Sequence, residues 1–320
     1  MRFRVNSIAI WLVSLLVALA AVPSAAQTVP TGYQDYLVLG NEEHVWRFYE
    51  AVRAGEGGGA FPQQAMASVV GAAASSDGQT LVYDHWEDGY ETNPLIPAQA
   101  STLVLGDGNP ANGDASAYTN DPRVTSDVLY AGTNLVLNSD QSAGPTLQQV
   151  IPIPRSAAQV RFDGSDRIYS SGGPLTVIHY QHPATIEIIG GSTEVLSKQA
   201  VENAFSYSLP AGTNTYTRFG GDNTAGEPFK YAWVDLVAFE DATEVTLDNK
   251  AGQVVTVTLN RGQHYSSEGR VDGAAAAGIT IREGTKISTN KPITGILRTA
   301  GDGTYQANTY TLLPDLLFST

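Results

Sequence analysis

The chain has no cysteine, and it sets only 18 lysines and arginines against 32 aspartates and glutamates in 320 residues. Without thiols there can be no disulfide, no thiolate metal site, no cysteine nucleophile and no lipid attached through cysteine. The shortage of positive charge leaves a formal net charge of −14. Such a surface repels phosphate backbones and anionic headgroups, which excludes nucleic acid and basic-patch membrane docking. Long helical periodicity is nearly absent. So are the local signatures G-x-S-x-G, H-E-x-x-H and the phosphate-binding loop.

What is present begins with an export signal. Arg2 and Arg4 precede an apolar run, Ile8 to Val22, and Ser24-Ala25-Ala26 forms a small-residue cleavage site. The run is shorter than the roughly 20 residues of a bilayer span, and no second hydrophobic run follows. Residues 1–26 therefore read as a cleaved signal peptide, with Gln27 as the mature N-terminus and an extracellular or cell-surface location. Loss of the two arginines takes the formal charge from −14 to −16.

The mature chain reads as all-β. Its 32 glycines and 16 prolines punctuate short strands, the pattern of an antiparallel sandwich or barrel. Tyr36 to Leu39 and His44 to Tyr49 are expected as strands, Gly55 to Gly59 as a loop, and Val69 to Ala74, Gln79 to Trp86 and Ser101 to Leu105 as further strands.

An internal repeat organises the pattern. Ala67 to Asp84 parallels Trp233 to Asp248, Ser101 to Gly108 parallels Thr256 to Gly262, and Arg167 to Ile178 parallels Lys286 to Leu297. The repeat predicts two duplicated antiparallel β-sandwich-like modules, 27–190 and 191–320, in which prolines 174 and 292 open outgoing strands. By the same repeat, the counterpart of Ser206 to Leu209 is missing after Thr320. The second module is thus expected to be truncated, with a frayed edge near Leu316 to Phe318 and further domains beyond.

The copies differ in their connections. Asp248 to Gln253 joins two strands briefly, whereas the first copy inserts H-W-E-D-G-Y-E-T-N-P-L-I-P-A-Q from His85 and a second acidic segment after Leu105. Between Asp84 and Asp127 stand 8 acidic residues and one basic residue, Arg123. Loops elaborated on rigid sheets are where binding usually resides. Asp84, Trp86, Glu87, Asp88 and Tyr90 are therefore the candidate ligand-binding residues, expected at a sheet rim. Calcium is the cation suited to oxygen ligands pooled from both insertions: Asp84, Glu87, Asp88, Asp107 and Asp114. The bland alternative is a set of Asn/Asp/Gly turns satisfying their own backbone. His179 and His182 point to opposite faces of a strand and make a poor zinc pair. His44, His85 and His264 lie far apart in the sequence. Glu87 and Glu91 could serve glycoside hydrolysis, but no catalytic signature surrounds them.

Certain strings resemble a known family. F-K-Y-A-W-V-D-L-V-A-F-E-D-A-T-E-V-T-L, V-T-L-N-R-G-Q-H-Y and G-T-K-I-S-T-N-K-P-I-T-G resemble the N-terminal domain of IgGFc-binding protein. L-V-Y-D-H-W-E-D-G-Y-E, D-V-L-Y-A-G-T-N-L-V-L and I-P-I-P-R resemble the N-terminal region of long bacterial surface or secreted proteins with immunoglobulin-like repeats. The resemblance implies an extracellular β-domain for adhesion, and antibody recognition does not transfer with it. The leading expectation is a non-enzymatic exported binding or adhesion domain for an extracellular protein or glycan. The alternatives are a secreted glycan-acting enzyme using the first-copy carboxylates, or a structural stalk. If the signal reading holds, N-terminal sequencing of the exported protein should begin at Gln27; an intact Met1 on the exported chain would refute it.

Overall fold

The computed structural model describes residues 32–57, 66–138, 160–183, 191–215, 229–301 and 307–315. The expected signal peptide and the apolar tail from Leu316 to Phe318 lie outside these residues.

In the first half, β1 (Tyr33–Leu37) leads into helix α1 (Glu42–Gly55), then β2 (Met66–Ala74), β3 (Thr80–Asp84), β4 (Leu103–Leu105) and β5 (Asn134–Asn138). β6 (Arg167–Ser171), β7 (Leu175–Pro183), β8 (Ser192–Val195), the one-turn helix α2 (Lys198–Val201) and β9 (Ser206–Ser208) follow. The second half runs through β10 (Tyr231–Ala238), β11 (Thr243–Asp248), β12 (Val254–Leu259), β13 (His264–Ser266), β14 (Arg270–Val271) and β15 (Ala274–Ala275). β16 (Lys286–Thr289), β17 (Ile293–Ala300) and β18 (Ala307–Thr311) complete it.

These strands form four antiparallel sheets, ordered β1-β6-β3-β4, β5-β2-β7-β8, β12-β11-β16-β9 and β15-β14-β13-β10-β17-β18. They are the blades of a single radially arranged four-bladed β-propeller, and two separate sandwich modules do not form. Each blade draws its strands from distant parts of the chain. One cluster of buried residues runs from Leu37, Val70 and Leu81 to Leu236, Leu247 and Leu297, so the two halves share a core. The repeat is nevertheless visible in the sheet positions: β1-β6-β3-β4 has the same order as β9-β16-β11-β12, and β5-β2-β7-β8 the same as β13-β10-β17-β18. The expected prolines stand one residue before β7 and β17, where no ladder bond is lost.

Local sequence explains the strand environments. β11 and β12 alternate buried and exposed residues, as strands with one wet face do. β17 is buried at all 8 positions and pairs with β10 and β18 on its two sides.

The expected strand from His44 to Tyr49 is instead the interior of α1. Its buried residues Val45, Phe48, Tyr49 and Val52 recur at helical spacing. Asn41 caps the helix, its side chain accepting from the N–H groups of Glu43 and His44, and Glu42 and Glu43 place negative charge at the N-terminal dipole. Gly55, expected in a loop, is the last helical residue. The helix packs across the joint between the halves: the Phe48 ring lies edge-on to Trp233 at 5.4 Å between centroids. Elsewhere the blades are linked at their edges, where Thr309 and Thr311 hydroxyls donate to the carbonyls of Ser192 and Glu194.

Because Phe48 is fully buried, Phe48→Ala should cost about 3–5 kcal/mol. The shared core further requires loss of both halves in one transition. Urea unfolding followed by tryptophan fluorescence and by far-UV circular dichroism should give coincident curves; two separated transitions would show that the halves are independent.

Candidate functional site

The acidic stretch that the sequence places at an outward rim folds inward. β3 carries it toward β6, pairing Asp84 with Arg167. The chain then turns at Gly89, whose φ of 90° is the left-handed conformation glycine accepts readily, and its N–H donates to Trp86 O. Trp86 is buried, its indole N–H donating to Asp163 Oδ1 at 2.6 Å. The Tyr90 hydroxyl donates to Ser165 O at 2.6 Å and lies against Gly262, where a Cβ would stand 1.8 Å from the phenolic oxygen.

The turn from Asp163 to Asp166 receives this stretch. Asp166 accepts from the Tyr83 hydroxyl at 2.6 Å, from Asp163 N at 2.9 Å and from Trp86 N at 3.1 Å. His85 Nδ1 stands 3.5 Å from Asp166 Oδ2 and 2.6 Å from Arg161 O. A carbonyl only accepts, so Nδ1 carries a proton. Glu87 Oε1 accepts from Arg161 N at 2.8 Å, while Oε2 is buried without a hydrogen-bond partner.

His85, Glu87 and Asp166 thus converge, with one ligand atom from each lying within 4.8 Å of the others. Their relative exposures are 4%, 9% and 0%, so the group is sheltered from bulk water. Burial, followed by the charge of Asp166, pushes the Glu87 carboxyl up to about 8. Burial alone would lower His85, but the charge and hydrogen bond of Asp166 overcome it and raise the imidazole to about 9. Asp163 is raised well above the carboxylate range by burial and by Glu42, and Asp84 is raised to about 7 by burial.

The other expected ligands go elsewhere. Asp84 Oδ2 accepts from Glu91 N, and Glu91 Oε1 accepts from the N–H groups of Ala98 and Gln99 and from the Thr102 hydroxyl. Half-buried Asp88 accepts from the Ser101 hydroxyl. Asp107 closes its own turn with Asn109 N and Asn112 Nδ2, and Asp114 caps the short helical turn at Ala115–Tyr118. The five carboxylates pooled as a calcium site are not brought together as a group, and among the described residues the converging ligand set is His85, Glu87 and Asp166. One imidazole with two carboxylates fits a borderline transition cation better than calcium, which prefers oxygen alone.

Sequence reading missed Asp163, Asp166 and Glu42. The available signal was D-G-S-D, a compact acidic turn directly before a strand. Beside it lies a second buried polar layer joining the halves. Arg298 Nε donates to Asp235 Oδ2 at 2.9 Å, and His44 Nδ1 is 3.3 Å from Asp235 Oδ1. Although burial opposes it, these contacts hold Asp235 well below the usual carboxylate range. His264 Nδ1 is 3.0 Å from Ser165 Oγ. His179 Nε2 sits 2.6 Å from Ser68 Oγ, and the His182 ring lies tilted against Tyr180, so the two are engaged separately.

Comparison with family models, with curated proteins and with solved structures found no match. The resemblance to the IgGFc-binding protein domain is not upheld: the strings recur without the immunoglobulin-like sandwich, and the architecture is a propeller. The reading as a non-enzymatic adhesion surface is overturned with it. The acidic-aromatic stretch folds inward, and its His85 and Glu87 join Asp166 in a buried cluster. Among the described residues no helix is long and apolar enough to cross a membrane.

Glu42 offers a direct test of the site's electrostatics. Its Oε1 accepts from Gly164 N and Gln181 Nε2 and lies 3.9 Å from His179 Nε2; Oε2 has no hydrogen-bond partner. Burial raises its carboxyl from 4.5 to about 7. The fold therefore favours the protonated form, and the associated stability is complete below the unfolded value and lost as pH rises through the folded one. Glu42→Gln should remove a contribution on the order of 3 kcal/mol between about pH 4.5 and 7. It should also exceed the wild type in stability at pH 8. Parallel pH slopes for the two proteins in urea denaturation would contradict this account.

Proposed function

We propose that the protein is an exported hydrolase whose reaction centre is the His85–Glu87–Asp166 cluster and whose substrate is a glycan. The observation that carries the reading is Glu87: a carboxylate nine-tenths buried, held through one oxygen by Arg161 N, with the other oxygen unpartnered beside an imidazole and a second carboxylate. Burying such a group without a partner costs free energy, and perturbed, sheltered titratable clusters of this kind gather at sites of chemistry.

Each residue has a distinct role. Asp166, fixed by Tyr83, Trp86 and Asp163, orients His85. Glu87 is the reacting carboxylate. Buried Trp86 and half-buried Tyr90, hydrogen-bonded to Asp163 and Ser165, anchor the stretch that carries Glu87. Along the same stretch, half-buried Asp88 and buried Asp84 each keep one oxygen without a hydrogen-bond partner. Acceptors of this density suit a ligand rich in hydroxyl donors, and a negative surround disfavours anionic polymers. A neutral glycan meets both conditions.

Glu87→Gln preserves the acceptor for Arg161 N, so the fold should be retained. Turnover on neutral oligosaccharides should fall about 10²–10⁴-fold, while Asp107→Asn, in an exposed turn of its own, should be indistinguishable from the wild type. Full activity in Glu87→Gln would remove this reading.

A further inference from the structure

The centre gathers more carboxyl groups than it has guanidinium partners. Glu87, Asp163 and Glu42 all lie close enough to Asp166 to interact with it. Arg167, the nearest guanidinium in sequence, is committed to Asp35 by a bidentate pair and lies over the Tyr169 ring. One carboxylate oxygen of the cluster, Glu87 Oε2, is left buried without a hydrogen-bond partner. His85 Nδ1 is engaged by Arg161 O, which leaves Nε2 as the ring nitrogen that could take a ligand. A histidine whose second nitrogen is fixed by a backbone carbonyl is arranged as metal-binding histidines usually are.

We propose that His85, Glu87 and Asp166 bind one divalent transition cation of the zinc or manganese class, and that calcium is not the ion of this site. The inference rests on the reading of this cluster as the reaction centre and supplies its cofactor. The donors already lie within 4.8 Å of one another. Binding requires the donors to close to bonds of about 2.0–2.2 Å. One nitrogen and two carboxylates leave coordination positions open, as catalytic sites do. Glu87 and His85 must give up any proton they hold in order to bind a cation, so retention should weaken as pH falls. When bound, the cation would polarise a substrate oxygen or activate water.

The test is metal retention by the whole exported chain, read independently of turnover. Chain stripped with chelator, loaded with zinc, manganese or calcium chloride and then desalted should retain one equivalent of zinc or manganese and no calcium. Electron spin-echo spectra of the manganese form should show a single imidazole nitrogen, lost in His85→Gln, and Glu87→Gln should weaken retention at least tenfold. Absence of retained zinc and manganese, retention unchanged in both variants, or tight calcium in their place would overturn the inference and leave His85 as the internal counter-charge. The two proposals fail separately. A bound metal without hydrolysis of any glycan removes the hydrolase and keeps the metal site, and hydrolysis that persists in chelator does the reverse.

Discussion

The structure is pinned at the turn from Asp163 to Asp166. Its backbone is locked to the end of β1, with Val38 N donating to Asp166 O and Ser165 N to Val38 O. Gly164 lies so close to Gly40 that a Cβ would sit 1.7 Å from the Gly40 carbonyl oxygen, and Ser165 is held at a φ of 81°, which L residues seldom adopt. The Asp166 carboxylate then gathers Tyr83, Trp86 and Asp163. Losing any of these donors would leave a buried charge undersatisfied, at a cost of roughly 1–3 kcal/mol or more. β1, β3, β6 and the acidic stretch all close on this turn, so the geometry of the candidate centre follows from it.

Charge is managed differently on the two sides of the turn. Asp35 with Arg167 and Asp235 with Arg298 are buried pairs with their own counter-charges. Such pairs contribute little net stability but are costly to break, which suits elements that fix register between blades. Glu87, Asp163 and Glu42 have no comparable guanidinium contact among the described residues. They tolerate burial by holding protons, a condition that a substrate or cation can change.

The repeated topology shows how the two halves diverged in role. β11 and β12 are joined by a compact turn in which Asn249 Oδ1 accepts from Ala251 N and Gln253 N. The equivalent connection between β3 and β4 spans His85 to Thr102 and supplies His85, Trp86 and Glu87. The second half lends the site its support: Gly262 faces Tyr90, and His264 reaches Ser165. A duplicated scaffold thus carries one plain turn and one elaborated arm that the whole molecule holds in place.

Most strands, the repeat and the acidic insertion were legible in the sequence because alternation, Gly/Pro punctuation and charge density are local properties of the chain. Helix α1 was misread as a strand: the Val45, Phe48, Tyr49, Val52 spacing behind Asn41 carried the helical signal, and the aromatic content of that stretch concealed it. The arrangement of the sheets was not legible, since a strand's pattern fixes which face is buried but not which distant strand lies beside it. The site was only half visible for the same reason. His85 and Glu87 stand in the conspicuous stretch, while Asp166 lies about eighty residues away and meets them only because β3 pairs with β6. Whether Trp86 faced outward or inward, and whether Glu87 joined a calcium rim or a sheltered histidine–carboxylate cluster, was decided by tertiary packing, because burial and the neighbouring charges it imposes exist only in the folded chain.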